Sequence, residues 1–382
     1  MLKTSKLLFN GATDTTGYGS VGASFLKQLL RSGLKPENIQ VKTDFNRIDN
    51  SHGEAWEYEL KQMCVNNIGK PDIFYNLWNP MCSTVYDIET PQILETVFET
   101  DYIQQNWVDA CNMYDVTWVP SHFCVDTFKR SGVNNVMYMP YGFDFSDDDT
   151  SLAQLDKDGR FKFLFINQWS NRKFAKETVE AFCKTFRGTD NVVLYVRTFV
   201  LGGLGLSPLD IVNDIKEVKS MYPDSPQIIL LDHFNDSTLH KLYNTVDCLL
   251  SPSRGEGVGR TIVEAMSHGL PTITTDWSAM TEYANDKTAY MLDYELVRVQ
   301  VPLEEARLYY FADKRMHWAE PNFNKLCDTM KLVVENYDEA AIKGANAAKF
   351  VRKYYSWDRC LPPRLECMEK LLDDNYNFGN IN

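Results

Sequence analysis

The stretch from Asp247 to Asp276 constrains the fold of this chain more than any other. It opens on an apolar strand (Asp247-Cys-Leu-Leu250), passes through a turn carrying Gly255, Gly257 and Gly259, and enters a helix. Strand, glycine turn and helix in that order begin a βαβ unit, which calls for a parallel sheet covered by helices. The turn also makes a place for an anion. The first N–H groups of a helix lack intrahelical acceptors, the dipole is positive at that end, and glycine lets a phosphate approach the backbone. Glu256 sits in the turn and Glu264 follows eight residues later on the helix. Like charge bars both carboxylates from binding phosphate, so they suit the hydroxyls of what the phosphate carries, a ribose and a second sugar. The segment reads as a pocket for a nucleotide-diphosphate sugar. A dipole-complementing glutamate and a solvated helix glutamate are the plainer readings of the same two residues.

The alternation continues from end to end, and the expected class is α/β with parallel sheets. Strands are predicted over residues 6–10, 39–43, 72–76 and 116–119, with a helix over 23–31 closed by Gly33. Residues 135–142 end the first half, and the polar acidic run 144–159, with Asp147, Asp148 and Asp149 in a row, reads as a linker. A second series then starts afresh: strands over 161–166, 192–197, 228–231, 248–250 and 272–274, and a helix over 176–186. The tail from Phe323 is helical, with Leu326, Met330, Val333 and Val334 on one face, and an amphipathic helix over 362–372 closes the chain.

At 382 residues there is room for two domains, each with its own core. No apolar run is long enough to span a bilayer, and the N-terminal apolar run is too short for a secretory signal. Nine cysteines without Cys-x-x-Cys spacing point to a reduced, cytoplasmic setting, and six histidines without a His-x-x-x-His pair propose no metal site. The net charge of −13 weighs against nucleic acid and anionic membranes as partners. The first 145 residues hold 11 Lys and Arg against 17 Asp and Glu, a net −6, so any phosphate site must be built from local groups.

Two further motifs bear on function. Gly17-Tyr-Gly-Ser-Val-Gly22, followed by Asp44, matches the dinucleotide fingerprint and supports a nicotinamide oxidoreductase as a rival. Six residues separate Asn10 from Gly17, which is long for that tight turn; a flexible loop over a cleft and a plain structural turn remain open. Arg172-Lys173 follows the first strand of the second half. Two cations at a strand's C-terminal end can neutralise a diphosphate, although such a pair is also a common solvated feature. Trp107, Trp118, Trp169 and Trp277 read as core.

At these residues the chain resembles the retaining glycosyltransferases of family 4. The resemblance covers most of the length and is most specific over 242–259 and 264–271, where Glu256 and Glu264 match the family's E-x7-E pair. Residues 115–121 are similar to the last strand of the acceptor domain, 139–144 to the interdomain hinge, and 169–173 to a variant of the cationic phosphate site. The resemblance implies the GT-B architecture, two facing Rossmann-like domains with a cleft between them. Residues 1–145 would form the acceptor-side domain and 146–357 the nucleotide-sugar domain, with the helix over 358–375 packing back on the first. It further implies that Glu264 holds the ribose and Glu256 the sugar hydroxyls. Backbone N–H groups from Gly257 through Val258 and Gly259 to Arg260, with Arg172 and Lys173, hold the diphosphate. The loop carrying Gly17 and Gly19 would close over it. The family's usual arginine five residues before the lysine is Gln168 here, so Arg172 stands in for it, and residues 98–101 lack the family's acceptor-side histidine.

The expected activity is transfer of a sugar from a nucleotide-diphosphate donor to an acceptor hydroxyl, with retention and without metal or resident cofactor. Glu256, Arg172 and Lys173 are the expected catalytic groups. The acceptor is open among a glycan, a lipid-linked sugar, a small molecule and a modified nucleic acid, and base contacts are expected near 197–201 and 231–239. Besides the oxidoreductase, a DNA-base-modifying glycosyltransferase and a non-catalytic sugar-nucleotide-binding protein remain as rivals.

Overall fold

The computed structural model describes residues 2–14, 16–43, 54–82, 85–145, 159–200, 207–231, 236–301 and 313–373. Asp44, most of the acidic stretch before Gly159, and parts of the expected base-contact segments lie outside them. The chain divides into two compact units. Unit 1 comprises Met1–Phe98, Tyr102–Asp144 and Lys353–Asn382, and unit 2 comprises Glu99–Asp101 and Phe145–Arg352.

Unit 1 is built on a six-stranded sheet of β1 (Leu7–Gly11), β2 (Ile39–Lys42), β3 (Ile73–Leu77), β4 (Gln92–Glu95), β5 (Val116–Val119) and β6 (Val136–Tyr138). Its order is β2-β1-β3-β4-β5-β6 and every pairing is parallel. β3, β4 and β5 are buried along their whole length, as a parallel sheet covered on both faces requires. The helices are α1 (Gly17–Arg31), α2 (Glu54–Val65), α3 (Gln105–Cys111), α4 (His122–Ser131) and, from the far end of the chain, α11 (Trp357–Leu371).

Three elements of unit 1 depart from the sequence expectation. α1 begins at Gly17 rather than Ala23, because Thr16 caps it by accepting from Gly19 N at 3.2 Å. α11 begins at Trp357 and runs through Pro362 and Pro363. Proline costs a helix its hydrogen bond, but the first turn is anchored by burial of Trp357 and Cys360 and by the indole N–H donating to Ser24 Oγ at 2.7 Å. The central strand β4 was not expected at all, since its ends are Gln92 and Glu95.

Glu95 explains how α11 is held. Arg364 reaches it through a two-pronged pair, Nη1 to Oε2 at 2.9 Å and Nη2 to Oε1 at 2.6 Å, and both side chains are fully buried. Arg364 also donates to Met139 O and Pro140 O, and its guanidinium lies over the rings of Phe25, Trp118, Tyr141 and Trp357. Burial pushes the Glu95 carboxyl up against the pull of Arg364.

Unit 2 has β7 (Phe161–Gln168), β8 (Val192–Phe199), β9 (Ile228–Leu231), β10 (Cys248–Ser251), β11 (Thr272–Thr275) and β12 (Tyr290–Leu292) in the order β12-β11-β10-β7-β8-β9, again all parallel. Strand order reverses at the β7–β10 pair. In doubly wound sheets the loops leaving the carboxyl ends of those two strands form the ligand crevice. The helices are α5 (Ala175–Thr185), α6 (Pro208–Met221), α7 (Asp236–Tyr243), α8 (Arg260–Ser267), α9 (Phe323–Glu335) and α10 (Tyr337–Tyr354), and β13 (Tyr294–Arg298) pairs antiparallel with β14 (His317–Pro321) as a ribbon.

Replacing Arg364 by methionine strands Glu95 in the interior. A loss of about 3–5 kcal/mol at neutral pH is expected by denaturant titration, and Glu95→Gln in the same chain should recover part of it. The stranded carboxyl has its folded pKa raised above the unfolded value, so the penalty is full above the folded pKa, shrinks as pH falls from the folded toward the unfolded pKa, and is gone below the unfolded one. A pH-independent loss would contradict this account.

Candidate functional site

The sequence-predicted residues in unit 2 come from the two loops at the strand-order reversal. The β7–α5 loop, residues 169–174, carries Arg172 and Lys173. The β10–α8 loop, residues 252–259, carries Glu256, Gly257, Val258 and Gly259. The strands meet just below, where Asn167 Nδ2 donates to Ser251 Oγ at 3.3 Å. The loops are bonded backbone to backbone, Arg254 N to Arg172 O at 2.7 Å, and Ser253 Oγ donates to the same carbonyl at 3.3 Å.

Side chains tie the loops more tightly still. Arg172 Nη1 donates to Gly255 O at 2.7 Å and lies 3.2 Å from Glu256 Oε2, while Lys173 Nζ pairs with Glu256 Oε1. The exposures are low, 10% for Arg172, 12% for Lys173 and 8% for Glu256, so little solvent screens the pairs. Burial works against the Glu256 charge, but Lys173 and Arg172 outweigh it and hold the carboxyl below its ordinary range. Burial lowers the Lys173 ammonium in spite of Glu256. The backbone of Glu256 is fixed by a third loop, after β11: its N–H donates to Ser278 Oγ at 3.0 Å and its carbonyl accepts from Ala279 N at 3.3 Å. Ser278 holds that position with φ +60°.

The N-terminus of α8 carries no capping side chain and no acidic residue in its first turn. Gly259 precedes it in the left-handed region at φ +77°, and Tyr283 OH donates to Val258 O at 2.6 Å. An added Cβ at Gly259 would lie 2.5 Å from that hydroxyl. Glu264, one turn in, accepts from Arg260 Nη2 at 2.9 Å and from Tyr243 OH at 3.4 Å. Two hydroxyls at this end of the sheet, Ser170 Oγ and Thr275 Oγ1, are buried with no hydrogen-bond partner among the described residues.

Gly17 and Gly19 belong to unit 1, where they open α1. Here the N-terminal turn is already filled. The Asp14 carboxylate accepts from Thr16 N at 3.0 Å and from its hydroxyl, and a Cβ on Gly19 would run into the Asp14 carboxylate and backbone. A Cβ on Gly22 would meet Ala12 O. At Gly19 and Gly22 the chain's own loop packs closely against the start of α1, which is what the plain structural-turn reading of the fingerprint expects.

Some residues of the site had no signal in the sequence. Arg254, a third cation beside Arg172, turns away to pair with Glu320 at 2.6 Å and Glu177 at 3.1 Å, stacked on Phe174 and Trp318; it braces the loop. Glu99 meets Arg172 Nη2 at 3.3 Å. Among the described residues no group of three or more His, Cys, Asp or Glu is placed to hold a metal ion.

Residues 160–298, which include Arg172, Lys173, Glu256, Gly259 and Glu264, match the family model described as Glycosyl transferases group 1. The chain carries a group 1 glycosyltransferase domain. The enzyme class follows from that domain. Comparison with curated proteins yields no relative. Solved structures of similar fold include HepE from Anabaena in complex with UDP and glucose, with a TM-score of 0.67 at 13% identity, covering 96% of this chain and 99% of that one. Sucrose-phosphate synthase from Thermosynechococcus elongatus gives 0.64 at 11% over 96% and 99%, and a glycosyltransferase from Rickettsia africae 0.60 at 16% over 97% and 99%. The two units, each an α/β domain on one six-stranded parallel sheet, match the GT-B fold of these structures.

Gly259 combines a left-handed backbone with a close approach to Tyr283. Gly259→Ala is expected to cost about 1–2 kcal/mol for the left-handed backbone and more for the collision with Tyr283. Adding Tyr283→Phe should restore only the second part, measured by denaturant titration. Full recovery in the double variant, or no loss in the single, would contradict the geometry.

Proposed function

We propose that this glycosyltransferase transfers a sugar from a nucleoside-diphosphate donor to an acceptor hydroxyl with retention of configuration, using neither a metal ion nor a resident cofactor. The observation that carries the reading is the uncapped N-terminus of α8, entered through left-handed Gly259, beside the buried Arg172–Lys173 pair. An open helix end supplies N–H donors and a positive dipole to an anion, and Arg172 and Lys173 supply the countercharge that a divalent ion would otherwise bring. The unpartnered hydroxyls of Ser170 and Thr275 support a polar ligand here, because buried hydroxyls are normally paired. The HepE structures hold UDP with glucose and UDP-glucose, which favours a uridine nucleotide as the donor.

In this reading the diphosphate lies on the N–H groups of Val258, Gly259 and Arg260. Glu264, oriented by Arg260 and Tyr243, accepts from the ribose hydroxyls. Glu256 accepts from the hydroxyls of the donor sugar through the acceptor capacity left by Lys173 and Arg172. As the glycosidic bond to the diphosphate breaks, negative charge grows on the leaving oxygen. Arg172, Lys173 and the helix end are fixed beforehand to meet it, which is the economical form of electrostatic catalysis. Retention places the acceptor hydroxyl on the face the diphosphate leaves, so that the departing oxygen can take its proton.

Lys173→Ala is expected to lower kcat by about 100- to 1000-fold, roughly 3–4 kcal/mol, with the fold intact. The check is release of UDP from UDP-glucose by the wild type and the variant. Wild-type turnover in the variant removes the cationic site from the mechanism. Activity should persist in EDTA, and proton NMR of the first-formed product should show the donor's anomeric configuration. Loss in EDTA restored by a divalent ion, or an inverted product, would overturn those two features.

A further inference from the structure

Glu99 follows β4 in sequence but packs within unit 2, and Asp101 anchors it there. Asp101 N donates to His317 O at 3.1 Å, Asp101 Oδ1 accepts from His317 N at 2.6 Å, and Oδ2 lies 3.3 Å from His317 Nδ1. The Glu99 carbonyl sits against Gly255, where any Cβ would run into it. The carboxylate is thereby held on the far fork of Arg172, Oε1 to Nη2 at 3.3 Å, while Nη1 faces Gly255 O and Glu256. Glu99, Arg172, Glu256 and Lys173 form a chain of four charges, two of each sign, all mostly buried.

That balance poses a difficulty for the donor site, and this inference rests on the reading given above. A nucleoside diphosphate brings two or more negative charges to a cluster with no net charge. Its approach to Arg172 and Lys173 is also an approach to two carboxylates. We propose that Glu99 is a positioning residue that yields to the donor: entry of the diphosphate is accompanied by uptake of one proton from solvent onto the Glu99 carboxylate, which releases Arg172 Nη2 to the phosphate.

The choice between the two carboxylates follows from their neighbours. Glu256 is gripped by two cations, Lys173 and Arg172, and stays ionised. Glu99 has Arg172 in direct contact. Burial raises it, Arg172 pulls it down, Glu256 pushes it up again and Lys173 lowers it from farther away, with a net rise. Asp101 and His317 are paired with each other beside it, and Arg254 is engaged by Glu320 and Glu177. Adding negative charge beside Glu99 moves it further in the direction it already leans. Binding then raises the pKa of Glu99, so the linkage has a definite sign: donor affinity falls as pH rises, approaching about tenfold per pH unit between the free and bound values.

The test is calorimetric titration with UDP in buffers of different ionisation enthalpy, which counts the protons taken up per UDP bound. Glu99→Gln is compared with the wild type, so that the titration of UDP itself, common to both, cancels. The wild type is expected to take up close to one proton more than Glu99→Gln. The variant should bind UDP at least as tightly at neutral pH, with a flatter pH profile, and Glu99→Asp should restore the uptake. Equal uptake in wild type and Glu99→Gln overturns the assignment while leaving the donor reading standing. Absence of UDP binding by the wild type overturns both. If circular dichroism shows Glu99→Gln unfolded, zero uptake by the wild type, or uptake lost in Glu99→Asp, still overturns it.

Discussion

The carboxylate of Glu256 is the joint on which unit 2 turns. It receives Lys173 and Arg172 from the loop after β7, while its own backbone is held by Ser278 and Ala279 from the loop after β11. Three loops at the carboxyl ends of three neighbouring strands are thus locked by one residue. The cost of burying its charge is offset by two cations, Lys173 and Arg172, each paired with it directly. The uncapped end of α8 owes its position to this joint, since Gly257, Val258 and Gly259 run directly from Glu256 into the helix.

The two units each begin a helix beside a glycine-rich loop and treat it in opposite ways. In unit 1, Thr16 caps α1 by accepting from Gly19 N, and Asp14 in turn accepts from the Thr16 backbone and hydroxyl. In unit 2, α8 has neither a capping side chain nor a first-turn acid. The same local chemistry is closed in one case and open in the other. The residue that precedes the helix differs in kind: Thr16 offers a hydroxyl to α1, whereas Gly259 has no side chain to offer α8.

Much of this was legible in the chain itself. Strands such as Phe161–Gln168 announce themselves because their apolar runs are uninterrupted, and the Glu256 to Glu264 spacing marks the turn and helix by residue type alone. β4 was hidden by the charge of Glu95, whose partner Arg364 lies near the other end of the chain. The start of α11 was hidden by two prolines that tertiary burial overrides. Arg172 and Lys173 are visible as cations, but the sequence shows nothing of Glu99 pressing on Arg172, because only folding brings them together. It is equally silent on Arg254, whose partners Glu177 and Glu320 are brought to it only by folding.

The central claim is that a diphosphate binds at the open end of α8. A crystal structure of the chain with UDP tests it most directly. The account expects the phosphates on the amides of Val258, Gly259 and Arg260 and within reach of Arg172, with the ribose against Glu264. Phosphate density at the start of α1, or Arg172 and Lys173 unchanged on Glu256 with UDP bound elsewhere, would contradict it.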